Sequence, residues 1–142
     1  MYTGIKHLHS ITAYLTLVFL VIAVLYAFYC WIGKKKFLKT SRIIMLLALI
    51  GTHVQLLFGL IIYFVSPLGF SNFSGESMKN AASRFYIVEH PMMMIVAIGL
   101  ITFGYSTAKR LPEDSKKFRR IAIFYTVGLI AILLRIPWNV WL

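Results

Sequence analysis

Apolar residues run along this chain in four long blocks, at 11–32, 43–65, 87–107 and 121–141, parted by short clusters of charged and turn-forming residues. A helix that crosses a bilayer needs roughly 20 residues, and each block meets that length. None of them alternates apolar and polar positions as a barrel strand does. Backbone in hydrocarbon must satisfy its hydrogen bonds internally, so the blocks predict four α-helices. Nothing between Gly4 and Ile11 breaks a helix, which moves the first start back to about residue 5.

The expected fold is therefore all-α: an integral membrane up-down four-helix bundle in one domain, 1–142, with helices at about 5–32, 43–65, 87–107 and 121–141. Short connections make consecutive helices antiparallel neighbours. Leu111-Pro112-Glu113-Asp114 reads as a turn, because proline cannot continue a helix. The longest loop, 66–83, is rich in Ser, Gly and Asn and predicts a short surface-lying piece around residues 76–85.

Composition agrees. Of 142 residues, 60% are hydrophobic, against ~45–50% in soluble domains, and the mean hydropathy is +0.81. Fifteen Lys and Arg face four Asp and Glu, a net charge of +11. In a soluble protein that excess points to nucleic acid. Here the charges lie between apolar blocks, so the expected partner is the lipid bilayer and not nucleic acid. Lys34, Lys35, Lys36, Lys39 and Arg42 fill the first connection; Lys109, Arg110, Lys116, Lys117, Arg119 and Arg120 fill the third. The positive-inside rule then puts both loops in the cytoplasm and both termini on the periplasmic side of a bacterial inner membrane. Trp31, Trp138, Trp141, Tyr63 and Tyr86 stand near block ends, as interfacial aromatics do. The first block is too long for a signal peptide and no A-x-A site follows it. Cys30, the one cysteine, excludes an intramolecular disulfide or a CxxC site and is expected to be a buried free thiol.

The candidate chemistry lies in four histidines. An imidazole held among apolar segments has a partner or a task, and neutral imidazole is the commonest metal ligand and a frequent axial ligand of haem. A bis-histidine haem needs both rings at one height. His90 falls roughly 5 Å inside the third helix from the outer side, and His9 enters the first helix at a matching level. His53, a further cofactor-binding candidate, lies about 18 Å down the second helix, near the midplane; with Thr52 and Gln55 beside it, an ordinary hydrogen bond across helices accounts for it as well as a cofactor role does. His7 and His9 are about 200° apart on a helix, so only one faces the interior. The stripe Ala13, Thr16, Leu20, Ala23 continues from His9 and is small enough for close packing or a flat macrocycle, whereas Tyr14 and Phe28 continue from His7 and read as lipid-facing. His9 and His90 are thus the expected iron ligands. Arg135 and Arg84 are the expected partners of haem propionates, since guanidinium suits bidentate carboxylate binding. An ion pair between Arg135 and Glu89 is the alternative.

Three features carry a family resemblance: His9-x3-Ala13 heading one helix, Gln55-x3-Gly59 in the next, and Val88-Glu89-His90 heading the third. This layout resembles one four-helix half of haem A synthase, in which two histidines sit at the outer ends of diagonal helices; the resemblance implies His9 and His90 at those positions. Thr52-His53-x-Gln55, Tyr63-Phe64-x-Ser66-Pro67 and Glu89-His90-Pro91 also look like the small "cytochrome b" membrane proteins of Bacteroidota over nearly the whole length. The chain has one half rather than two, and no acidic residue near His9 matches the family's glutamate. The resemblance therefore implies a haem carrier, electron-transfer subunit or assembly factor rather than oxidation of a haem methyl.

The leading expectation is a membrane protein holding haem b that passes electrons, with quinone or with other subunits of a respiratory complex, and without independent catalysis. Bis-histidine iron is coordinatively saturated, which suits electron transfer. Copper handling is a second reading, because His90-Pro91-Met92-Met93-Met94 joins imidazole to thioethers that suit Cu(I); successive residues on a helix, however, point about 100° apart. A cofactor-free structural or assembly subunit is the third.

Overall fold

The structure, a computed structural model, describes residues 1–141. All its regular elements are helical: α1 (Tyr2–Ile32), α2 (Lys39–Val65), α3 (Ala81–Arg84), α4 (His90–Ala108), α5 (Asp114–Leu134) and α6 (Trp138–Trp141), and no strand occurs among the described residues. Two 3-10 turns, Phe70–Asn72 and Ser77–Lys79, shape the long loop. A π-helical turn, Phe85–Glu89, joins α3 to α4. Three helical stretches, Tyr2–Ile32, Lys39–Asn72 and Ala81–Ala108, are long and apolar enough to cross a membrane. Large side chains on their outer faces, such as Leu25, Leu57 and Val96, stay exposed. Together these features suggest a membrane protein.

α1 packs on α2 and α5, and α4 packs on α5 and α2, so α1 and α4 stand across from each other. The centre between them is filled by Leu20, Met45, Ile101 and Tyr125, all fully buried. Tyr125 reaches from α5 to α2, where its hydroxyl donates to the Met45 carbonyl at 3.0 Å. The bond gives a buried phenol the partner it needs. Close approach of α4 and α5 depends on glycine. A Cβ on Gly104 would lie 2.4 Å from Phe124 Cβ, and one on Gly128 would lie 2.5 Å from Ile101 Cγ1. Small residues let helix backbones meet where lipid gives no hydrophobic drive for association.

The basic connections share one end of the molecule. There the Phe37 N–H donates to Asp114 Oδ2 at 3.1 Å, and the Phe37 ring lies 5.1 Å from that of Phe118. Cys30 is buried as a free thiol. The termini meet at the opposite end, where Trp141 Nε1 donates to the Ser10 hydroxyl at 2.7 Å and Tyr14 stacks on Trp141 with ring centroids 4.3 Å apart.

Several boundaries differ from the expected ones: α1 and α2 start a few residues early, at Tyr2 and Lys39, and two regions differ further. The helix expected over 121–141 starts at Asp114 and stops at Leu134. Its first turns carry Asp114, Lys116, Lys117, Arg119 and Arg120, which hydropathy alone assigns to a loop. It stops because Pro137 has no N–H to continue the ladder and disfavours helical backbone at Ile136. Trp138 Nε1 instead donates to the Leu133 carbonyl at 2.8 Å. The helix expected from residue 87 is preceded by α3 and the π-helical turn, because the chain stays coiled through 81–89.

Gly104→Ala and Gly128→Ala are each expected to cost roughly 1–3 kcal/mol by overpacking. Gly99→Ala meets nothing within 4 Å and should be neutral or stabilising by helix propensity. Unfolding midpoints of the three variants in detergent check this; equal effects at all three positions would contradict the close helix crossing.

Candidate functional site

The end where the termini meet gathers most of the residues singled out by chemistry. His9 comes from the first turns of α1, and the end of α2 receives it. Gln55 Nε2 donates to the His9 carbonyl at 2.7 Å and to His9 Nδ1 at 3.0 Å. Gln55 Oε1 accepts the Thr12 hydroxyl. One turn further along α2, a Cβ on Gly59 would lie 3.3 Å from His9 Cε1. The Gln55-x3-Gly59 pair therefore does two jobs on one helix face: the amide orients the imidazole, and the glycine leaves room for it.

His90 is placed from the other side by the π-helical turn, which its own N–H closes on the Phe85 carbonyl. Such turns are frequent at functional sites. Pro91 follows and has no N–H to offer the carbonyl four residues back, that of Ile87. The Tyr63 hydroxyl donates to this carbonyl at 2.9 Å instead, which ties α2 to the start of α4. His90 Nδ1 donates to the Arg135 carbonyl at 2.6 Å. That carbonyl is free because α5 has just ended. Phe85 stacks on the His90 ring with centroids 5.9 Å apart.

The two imidazoles consequently face each other from helices that stand across the molecule. Their ring centroids are 6.5 Å apart and their planes are inclined at 83°. Both residues are half-buried, and among the described residues neither Nε2 has a hydrogen-bond partner. Two imidazoles that share one metal ion through bonds of roughly 2 Å have centroids about 6 Å apart, so the spacing fits a shared ion. The hydrogen bonds also fix tautomers. His90 must carry its proton on Nδ1, opposite a carbonyl, which leaves the Nε2 lone pair free as a metal ligand requires. His9 Nδ1 faces an amide N–H and accepts from it, so the His9 proton sits on Nε2. For His9 to ligate through Nε2, that proton must move to Nδ1 and Gln55 must turn its carbonyl oxygen to it.

Charge at this end centres on Glu89, next to His90. Arg84 Nε lies 3.1 Å from Glu89 Oε2, and Arg135 Nε lies 3.8 Å from Glu89 Oε1. Both expected propionate partners are thus at the histidine end, and both are engaged by one carboxylate. The remaining polar groups are used locally, Arg84 also donating to the Met78 carbonyl and Arg135 to that of Leu134.

His53 is not brought into this cluster. It is exposed on α2, about 9 Å further from this end than Gly59 by helix rise. Its Nδ1 donates to the Leu49 carbonyl at 2.8 Å, and Nε2 lies 3.5 Å from the Thr102 hydroxyl. His7 is exposed. Met92 is 55% exposed while Met94 packs against the core, so the three methionines diverge. No group of three or more His, Cys, Asp or Glu that could hold a metal ion occurs among the described residues. Sequence reasoning did not see the roles of Gln55, Thr12 and Tyr63, although Gln55 and Gly59 at i and i+4 already shared a face. Comparison with protein-family models, with curated proteins and with solved structures found no match.

Gln55→Leu leaves the His9 ring nitrogen without a partner and removes a donor from the His9 carbonyl, while the Thr12 hydroxyl keeps the carbonyls of Leu8 and His9. Its expected cost to the cofactor-free protein is about 1–3 kcal/mol, measured by denaturation in detergent. A loss no greater than that of an exposed-face substitution such as Leu57→Ala would contradict the cradle.

Proposed function

We propose that this chain is a membrane b-type cytochrome: an up-down four-helix bundle that holds haem b between α1 and α4, with His9 and His90 as axial ligands. The observation that carries the reading is the facing His9–His90 pair, 6.5 Å between centroids, with each Nδ1 engaged and each Nε2 free of a partner. Polar side chains are costly among apolar helices, and a shared iron would give both ring nitrogens a partner. The resemblance of the His9, Gln55–Gly59 and Glu89–His90 segments to one half of haem A synthase supports the same pair.

Bound there, haem b would supply a one-electron couple suited to electron transfer. The chain's own residues do the rest. The Arg135 carbonyl holds the His90 ring proton and makes its other nitrogen a better donor. Gln55 sets the ring angle of His9. Arg135 and Arg84, which share the single carboxylate of Glu89, would supply the positive charge that compensates anionic propionates. The electron partner in this reading is quinone or another subunit of a respiratory complex. The eleven basic residues of the two connections support a multi-pass protein of the bacterial inner membrane with both termini periplasmic, α5 being the fourth crossing.

The orientation of Gln55 favours a second reading. With its amide N–H on His9 Nδ1, His9 offers an Nε2–H and His90 an Nε2 acceptor, a complementary pair that suits a cofactor-free structural subunit. The two readings part on colour. Protein from haem-replete cells should show a low-spin b-type spectrum when reduced. His9→Ala and His90→Ala should each abolish or convert it, and His53→Ala should leave it unchanged. A folded but colourless protein would overturn the haem reading. A spectrum lost with His53→Ala and kept with His90→Ala would overturn the ligand pair.

The charge at the site predicts two opposite shifts. Reduction adds an electron, so nearby positive charge stabilises the reduced state. Arg135→Leu should lower the midpoint potential by the equivalent of ~1–3 kcal/mol for a charge-assisted contact, and Glu89→Gln should raise it. Redox titration of both variants checks the signs; shifts in the same direction would contradict the arrangement.

A further inference from the structure

At the basic end, away from the histidines, an open groove of about 590 Å³ lies between the start of α2, the end of α4 and the first turns of α5. Lys39 and Arg42 line it from α2, Lys109 and Arg110 from the end of α4, and Lys117 from α5. Five cations on one groove repel one another. Among the described residues none of them has a carboxylate within ion-pair distance. The acids nearby are engaged elsewhere, Glu113 with Lys116 at 3.6 Å and Asp114 with the Phe37 N–H. Two of the cations are held on the groove's aromatic walls. Lys117 Nζ lies 5.3 Å from the Phe37 ring centroid and Lys109 Nζ 5.9 Å from that of Tyr105. The site is thus a preformed, uncompensated positive cradle that calls for an anion.

Its position identifies which anion. The groove sits where membrane-length helices end, with the exposed apolar side chain of Leu38 at its rim and that of Ile43 one helical turn along α2 from Lys39. We propose that the groove binds an anionic phospholipid, its phosphate among Lys39, Arg42, Lys109, Arg110 and Lys117 and its acyl chains against the exposed apolar face of α2. Basic pockets between membrane helices are suited to acidic lipid headgroups. A soluble phosphate compound would use the cations and leave the adjoining apolar surface without a role.

The test uses the full chain in a zwitterionic detergent, with lipid retention read by native mass spectrometry and the unfolding midpoint measured alongside. Phosphatidylglycerol should be retained at least about tenfold better than phosphatidylcholine, as expected when two or more cations contribute, and should raise the midpoint. Arg42→Gln/Arg110→Gln should remove that preference, whereas Lys34→Gln/Lys36→Gln, outside the groove, should keep it. If the first double variant does not fold, Lys39→Gln/Lys109→Gln carries the same comparison. Equal retention of the two lipids overturns the proposal. So does an equal loss in the Lys34/Lys36 control, which would mean diffuse charge. Displacement of the lipid by millimolar inorganic phosphate would assign the groove to a free anion and overturn it as well.

Discussion

A polar atom placed among apolar helices must find a partner or be given a ligand, and this constraint organises the histidine end of the molecule. Each irregularity there frees one backbone group that another residue uses. Pro91 leaves the Ile87 carbonyl to the Tyr63 hydroxyl. The stop of α5 before Pro137 leaves the Arg135 carbonyl to His90. Gln55 meets the His9 carbonyl, its ring nitrogen and the Thr12 hydroxyl with one amide. After these pairings the two Nε2 atoms, on helices that face each other, are what remains. The haem proposal rests on that remainder.

Much of the architecture was legible as hydropathy. The apolar blocks became helices, and the stripe Thr16, Leu20, Ala23 that follows His9 is buried, while His7 on the opposite side is exposed. That contrast is a consequence of helical periodicity and needs no structure to derive. The limits of α5 were not legible in the same way. Hydropathy begins a helix where charge ends, but Lys116 and Arg119 are good helix formers and the coil starts at Asp114. At the far end the apolar run continues past Leu134, and only the backbone chemistry of proline stops it.

The site was legible in residue type and not in linkage. That His9 and His90 share a height followed from helix rise, and their place on helices across from each other is what the resemblance implied. That Gln55 orients His9 did not, because hydropathy treats a glutamine within an apolar block as a defect rather than a partner. Arg135 matters in two ways that the sequence does not separate. Its carbonyl fixes a histidine tautomer, a backbone role any residue there can fill, and its guanidinium joins Arg84 on Glu89. The two ends of the molecule also divide the charge: two arginines on one glutamate beside the histidines, and a basic groove without ion-paired carboxylates at the other end.

The claim that the two imidazoles share one iron is tested most directly by near-infrared magnetic circular dichroism of the oxidised protein purified from haem-replete cells, because that signal reports the axial ligands themselves. Bis-imidazole low-spin iron, at one haem per chain, is the predicted result. High-spin iron, a histidine–methionine signature, or folded protein without haem would contradict the account.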